Sequence, residues 1–202
     1  MASGNDLIEV IIVVVGEQGV GKTGMIINYI EDRFEAKYLP TVTDMKEKPT
    51  VFNGENIISK IWDTAGAEEY DKLRPVQYNE ANCILVCFAC AETNAENGFD
   101  KVLSRWKPQL DHYAEGVPRI LVGCKSDLRE ESGSVCVSKE EADKKAKDLN
   151  AVCYLECSAR TDEVEHVFET ALEEGFYNLF PEKRPADKPP PSNKRRKVCH
   201  LL

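Results

Sequence analysis

Gly16 to Thr23 reads GEQGVGKT, a G-x-x-x-x-G-K-[ST] pattern whose residue types suit the holding of a phosphate chain. Such a chain needs many inward-pointing N–H donors, and Gly16 and Gly21 permit a tight turn and a close backbone approach that a Cβ would obstruct. Lys22 can reach the outer phosphates and Thr23 can place its hydroxyl on a magnesium ion. A helix N-terminus behind them favours negative charge.

The flanking elements are those that the pattern requires. An apolar run, Val10 to Val15, leads in, and a segment with apolar Met25, Ile26, Ile27, Tyr29 and Ile30 leads out, giving strand, loop and helix. Without that context the match would be a glycine-rich turn arising by chance. Further on, strands over Pro49–Phe52 and Asn56–Trp62 flank Asn53-Gly54, a strong hairpin signal. The second strand ends in Asp63-Thr64-Ala65-Gly66. Open α/β sheets bind ligands at the carboxyl ends of their strands, so Asp63 is expected beside the phosphates, holding Mg²⁺ directly or through water. Taken alone, the same four residues would pass for a plain turn.

A third group follows the apolar strand Pro118–Cys124, where Lys125-Ser126-Asp127 stands at the expected mouth of the sheet. The two carboxylate oxygens of Asp127 can accept the N1 and N2 hydrogens of guanine, a donor pair that adenine lacks. Lys125 can lay its alkyl stem over the base. A bare K-x-D is more often a solvated loop; its place after a strand and well past the glycine loop gives it weight. The amides of Cys157, Ser158 and Ala159, after a last strand over Val152–Glu156, are expected to face the base.

The 202 residues allow one domain and a tail. The N-terminal sequence has no basic region or cleavage site, and no apolar stretch approaches membrane-spanning length, so a cytosolic protein is expected. Eight cysteines would suggest disulfides in a short secreted chain. Here most lie in apolar runs, and Cys83, Cys87 and Cys90 lack nearby His or CxxC spacing, so they read as small buried hydrophobes.

The remaining elements are a long exposed loop over Asp32–Asp44, a buried strand over Ile84–Ala91 and a helix over Phe99–Tyr113 with Trp106 in its core stripe. Ser138 and Glu141 form a capping box for a helix running to about Leu149. A final helix carries Val164, Val167, Phe168, Ala171, Leu172, Phe176 and Leu179 on one face, with His166 on its polar side.

Residues 181–202 hold seven Lys/Arg and two Asp/Glu, a net +5 against −9 for the whole chain, which leaves −14 on the first 180. An acidic body argues against nucleic-acid binding, and the tail suits an anionic surface. Its Pro189-Pro190-Pro191 and basic Lys194 to Lys197 composition predicts disorder from Pro181 onward. Cys199-His200-Leu201-Leu202 is a C-a-a-X box whose terminal leucine favours geranylgeranylation. One lipid plus a basic run supplies the two signals that stable anchoring needs. The basic run also fits a nuclear localisation signal or plain solvation.

Together and in this order, these motifs resemble the Ras superfamily of small GTPases, and YLPTV (38–42), WDTAG (62–66), EEYDKLRP (68–75), LVGCKSDLR (121–129) and YLECSA (154–159) resemble its Rho branch. The resemblance spans residues 8–202. It implies an α/β G domain over residues 1–180, a six-stranded mixed sheet flanked by five α-helices, with residues 181–202 as a lipidated tail. It assigns GTP or GDP contacts to Gly16, Glu17, Gln18, Gly19, Val20, Gly21, Lys22, Thr23 and Gly24, and to Phe34, Tyr38, Thr41, Gly66, Lys125, Asp127, Leu128, Ser158 and Ala159. It places Mg²⁺ on Thr23, Thr41 and Asp63, Gly66 on the γ-phosphate and a prenyl group on Cys199. The loops around Thr41 and Gly66 become switches, and the implied partners are an exchange factor, effectors, a prenyl-shielding chaperone and the inner face of a membrane.

Four features depart from that pattern. Gln18 stands where the family carries glycine, and would crowd the attacking water and an incoming arginine finger. Ala67 stands where the family carries the water-orienting glutamine. Catalysis at such sites is mostly positioning, and a finger in trans contributes about 10³ to 10⁵, so slow hydrolysis is expected. The short Glu130–Val137 connection lacks the charged helix usual in Rho proteins. Thr43, Met45 and Cys124 also replace the usual types, so effector choice is not carried over. Two readings compete: a constitutively GTP-bound module controlled outside the active site, and an ordinary cycling GTPase regulated by exchange factors and GTPase-activating proteins, in which Gln18 could partly replace the missing amide. A nucleoside or metabolite kinase is a third reading, and the chain offers no Arg-rich lid for it.

Overall fold

The computed structural model describes residues 7–34, 43–91, 98–130, 135–161 and 163–188. The centre of the fold is β1 (Ile8–Gly16), in which Val10 and Ile12 through Val15 are fully buried. A continuous apolar run marks a strand covered on both faces, as parallel sheets require. β1 lies between β3 (Glu55–Thr64) and β4 (Cys83–Ala89), parallel to both, and β5 (Arg119–Cys124) and β6 (Cys153–Glu156) continue the parallel array. β2 (Thr43–Phe52) is the antiparallel edge, giving a six-stranded mixed sheet of order β2-β3-β1-β4-β5-β6.

Asn53 and Gly54 both have positive φ, 56° and 77°, the mark of the two-residue turn whose twist matches its strands. β2 starts six residues earlier than the apolar pattern predicts, because Thr43 through Lys48 pair with Thr64 through Ser59. The exposed loop expected over Asp32–Asp44 is shortened accordingly. Charged residues and Pro49 fill this strand because it lies at the edge, where they blunt further pairing.

Helices cover both faces. α1 (Lys22–Glu31) and α5 (Glu165–Leu179) pack on one side, where Tyr29 stacks on Phe168 at 4.2 Å and Phe52 meets Phe176 edge-on at 5.2 Å. α2 (Arg74–Glu80), α3 (Lys107–Tyr113) and α4 (Lys139–Asp148) cover the other, over a core centred on fully buried Trp106, Tyr78 and Phe88. The helix predicted over Phe99–Tyr113 is divided: a wider π turn, Val102–Trp106, precedes α3. Pro108 has no N–H to donate to the Ser104 carbonyl, so the regular ladder cannot run through that point. The Ser138 capping box is present, with Glu141 N donating to Ser138 Oγ at 3.2 Å and Ser138 N to Glu141 Oε2 at 3.0 Å.

The disorder predicted from Pro181 onward is corrected over its first eight residues. Pro181–Lys183 forms one helical turn, and Arg184 then reaches back to Glu174 on α5 with two bonds of 3.2 and 2.8 Å. Lys188 Nζ lies 2.5 Å from Glu173. Ion pairs to α5 hold this segment, which composition alone cannot reveal. Among the described residues no helix is long and apolar enough to cross a membrane.

Candidate nucleotide-binding site

β1 ends under the loop that opens α1. Gly16 has φ 144°, and a Cβ there would stand 2.2 Å from the Cys87 carbonyl oxygen on β4, so only glycine lets the chain turn at this point. Lys22 Nζ curls back to donate to the carbonyls of Gly16 and Glu17, each at 2.8 Å. Burial pushes this ammonium below the ordinary lysine range, against the opposing pull of neighbouring groups that include Asp63 and Glu17. A cation so desolvated favours an incoming anion.

Thr23 and Asp63 are forty positions apart in sequence, and the Thr23 hydroxyl donates to Asp63 Oδ2 at 2.7 Å. The parallel register of β1 with β3, Val14 beside Asp63, brings them together. Thr64 anchors that strand end by donating to the Val14 carbonyl at 2.7 Å. A hydroxyl and a carboxylate in contact are hard oxygen donors of the kind Mg²⁺ takes. Thr23 and Asp63 therefore fit that ion, which would serve there to neutralise phosphate charge. Thr41, the third expected ligand, lies outside the described residues, as do Tyr38 and Cys199.

Gly66 lies flat against the phosphate loop: a Cβ on it would sit 2.4 Å from the Gln18 nitrogen and 2.6 Å from the Gly16 oxygen. Any side chain at 66 would separate the two loops. At the other end, Asp127 Oδ1 accepts from Ser158 Oγ at 2.7 Å, while that hydroxyl accepts from the amides of Arg160 and Thr161. Ser158 thus orients the carboxylate. Lys125, with φ 58°, donates from Nζ to the Gly19 carbonyl at 2.7 Å and ties the two ends together.

These groups share a cavity of about 500 Å³. Gln18, Gly19, Gly21, Lys22, Thr23 and Gly24 line one end, with Gly66 beside them; Lys125, Asp127, Leu128 and Ala159 line the other, and half-exposed Phe34 stands at the wall. Three members of the glycine loop do not line it, the first being Gly16 at the end of β1. Val20 is buried in the core, and the Glu17 carboxylate turns away, accepting from Arg105 NH1 at 2.7 and 2.8 Å and from Trp106 Nε1 at 3.0 Å. Ala67 is also off the wall, and its carbonyl accepts from Arg74 NH2 at 2.7 Å.

Sequence reasoning missed Asn28, which donates to the Ala159 carbonyl at 3.3 Å, and Arg160, which lines the cavity. It also missed Arg74 and Arg105. Of these only Arg74 stands within a quoted motif, EEYDKLRP, which gave it no role. Trp106 was legible as core, but its indole bond to Glu17 was not.

A phosphate loop between a buried parallel strand and a helix, an acidic residue on the neighbouring strand end and a carboxylate at the far end of one cavity define a phosphate-loop nucleotide-binding protein. The sequence pattern of the Ras family matches residues 11–176, and the chain belongs to that family. It is a small GTP-binding switch protein, in a family that binds GTP and GDP and typically Mg²⁺.

Proposed function

We propose that this protein is a Rho-like GTP-binding module with slow hydrolysis, held on the inner face of a membrane by a lipid on Cys199 and the basic tail, and regulating the actin cytoskeleton through effectors. One observation carries the slow hydrolysis: the segment that would orient the attacking water offers only the methyl of Ala67, and that residue's carbonyl is committed to Arg74. Gln18 adds bulk to the phosphate end of the cavity. Lys22 and the loop amides bind the phosphates, Asp127 held by Ser158 selects guanine, and Thr23 with Asp63 holds Mg²⁺. Output is then set by exchange-factor loading, abundance, membrane extraction by a prenyl-shielding chaperone, or tail modification.

Because Gln18 lines the cavity, it also favours a second reading, an ordinary cycling GTPase in which this amide orients the water from the opposite side. Single-turnover hydrolysis of Mg²⁺·GTP separates the two. Under the slow-hydrolysis reading the parent is nearly inert, and Ala67→Gln with Gln18→Gly raises turnover by about 10²-fold or more, the scale of a positioning effect. A parent that already turns over at the revertant rate, and loses that rate on Gln18→Gly alone, establishes the cycling reading instead.

A further inference from the structure

Three thiols lie on one face of the sheet beneath the glycine loop and α1: Cys87 on β4, Cys124 at the end of β5 and Cys157 just past β6. All are free and buried, yet Cys124 and Cys157 line the nucleotide cavity. Gly123 stands beside Glu156 in the parallel register. One position on, Cys157 donates its amide to the Gly123 carbonyl at 2.9 Å and accepts from the Ser126 amide at 3.1 Å, which sets it opposite Cys124. Neighbouring strands are about 4.8 Å apart, inside the roughly 4.4–6.8 Å that a disulfide spans between Cα atoms. Cys87 is placed differently. The register puts Cys124 beside Ala89, two residues further along β4, and Cys87 packs under Gly16, off the cavity wall.

The surroundings favour ionisation at one thiol of the pair. Hydrogen bonds with the Cys157 and Cys87 thiols, and the charges of Lys22 and Lys125, hold the Cys124 thiol well below its ordinary range against the effect of burial. The Cys157 thiol, bonded to Cys124 and buried, is pushed well above it. We infer that Cys124 and Cys157 are a nucleotide-guarded dithiol, which a peroxide closes to a disulfide in the nucleotide-free protein, tying together the two loops that hold the base. This rests on the reading of the cavity as a guanine-nucleotide site. The Cys124 thiolate attacks one peroxide oxygen and breaks the O–O bond, forming a sulfenic acid while the other oxygen leaves as hydroxide. The Cys157 thiol then attacks that sulfur. The S–S bond forms, and the displaced hydroxyl group takes the thiol proton and leaves as water, so two electrons have passed from the sulfur pair to the peroxide. Both side chains meet solvent through the cavity, so an occupant shields them. Cys124 directly precedes Lys125, and Cys157 directly precedes Ser158, so the bridge fixes the spacing of both base-facing loops.

Hydrogen peroxide, added to the full chain either freed of nucleotide or saturated with Mg²⁺·GDP, tests the pair, with products read by intact mass and by peptide mapping without reduction. The expected product has Cys124 linked to Cys157 and forms more than about tenfold more slowly in the saturated protein, because saturating ligand leaves few nucleotide-free molecules. The bridged protein is expected to take up a fluorescent GDP more than about threefold more slowly than the reduced one, since the loops must part to admit the base, and dithiothreitol restores the rate. Cys157→Ala leaves a sulfenic acid at Cys124 that dimedone traps, and Cys124→Ala forms no link; the map of the parent decides alone if either variant fails to fold. A link from Cys124 to Cys87, a sulfonic acid at Cys124 without a link, or no reaction overturns the inference. So do equal oxidation rates with and without bound GDP, or a bridged protein that loads at the reduced rate. Failure of the reduced protein to retain GDP removes the guanine-nucleotide reading and the guarding with it, while the mapped link in the same protein still decides whether the two sulfurs are a pair.

Discussion

Asp71 sits between two guanidiniums, and its titration carries a consequence for stability. Burial pushes its carboxyl up, while hydrogen bonds and charge from Arg105 and Arg74 more than reverse this and hold it below the ordinary 3.8. A carboxylate depressed in the folded chain stabilises the fold above its unfolded pKa, and that contribution is lost as pH falls through the folded value. Asp71→Asn is therefore expected to be less stable than the parent at about pH 7, with the gap narrowing as pH falls below about 4. Urea unfolding of both proteins across that range checks it; a gap that is constant with pH would mean that the charge contributes nothing. The same residue marks the limit of what motifs reveal. Lys22, Thr23, Asp63 and Asp127 were legible because each stands at a fixed spacing from a glycine or a strand end. Arg105 acts on a carboxylate 88 positions away, which no local spacing encodes, and Arg74 acts on carbonyls seven and nine positions back, in a turn that no periodicity announces.

At the scale of elements, β1, β4 and β5 could be read from apolar runs because two-sided burial leaves no other choice of residue. The Asn53-Gly54 hairpin was equally plain, since its turn demands two positive φ values. β2 was half hidden because edge strands are held by ladder hydrogen bonds, which any side chain allows. The π turn ahead of α3 lies where the apolar stripe of Val102, Trp106 and Leu110 continues unbroken, so periodicity ran through it; Pro108 was the available signal. α4 offers a direct test of local encoding. Its ten residues are mostly charged and only Ala142 and Ala146 are buried, so packing holds it weakly and the cap matters more. Ser138→Ala removes the acceptor for the Glu141 amide and is expected to cost about 1 kcal/mol, while Ser138→Asp retains most of it. Thermal unfolding of the two variants reads the difference directly, and equal losses would rule out the cap as the cause.

Across the whole molecule, the sheet places the cavity at one end, and a buried ion pair secures the segment after α5. Arg184 and Glu174 are 6% and 7% exposed at their side chains, and the guanidinium also lies over the Tyr177 ring at 5.0 Å. Lys183 extends the same contact across the sheet, donating to Glu55 at the start of β3 at 2.8 Å. Residues 181–188 therefore belong to the packed body. A buried pair contributes little net stability over an apolar replacement, because desolvating two charges offsets their attraction, but removing one partner strands the other. Arg184→Ala is accordingly expected to lower stability by roughly 3–5 kcal/mol, while Arg184→Met with Glu174→Leu recovers most of the loss. Urea denaturation decides it: a double variant no more stable than Arg184→Ala would show that the segment is held by the charge pair itself, and a single variant with parental stability would show that residues 181–188 add nothing to the fold.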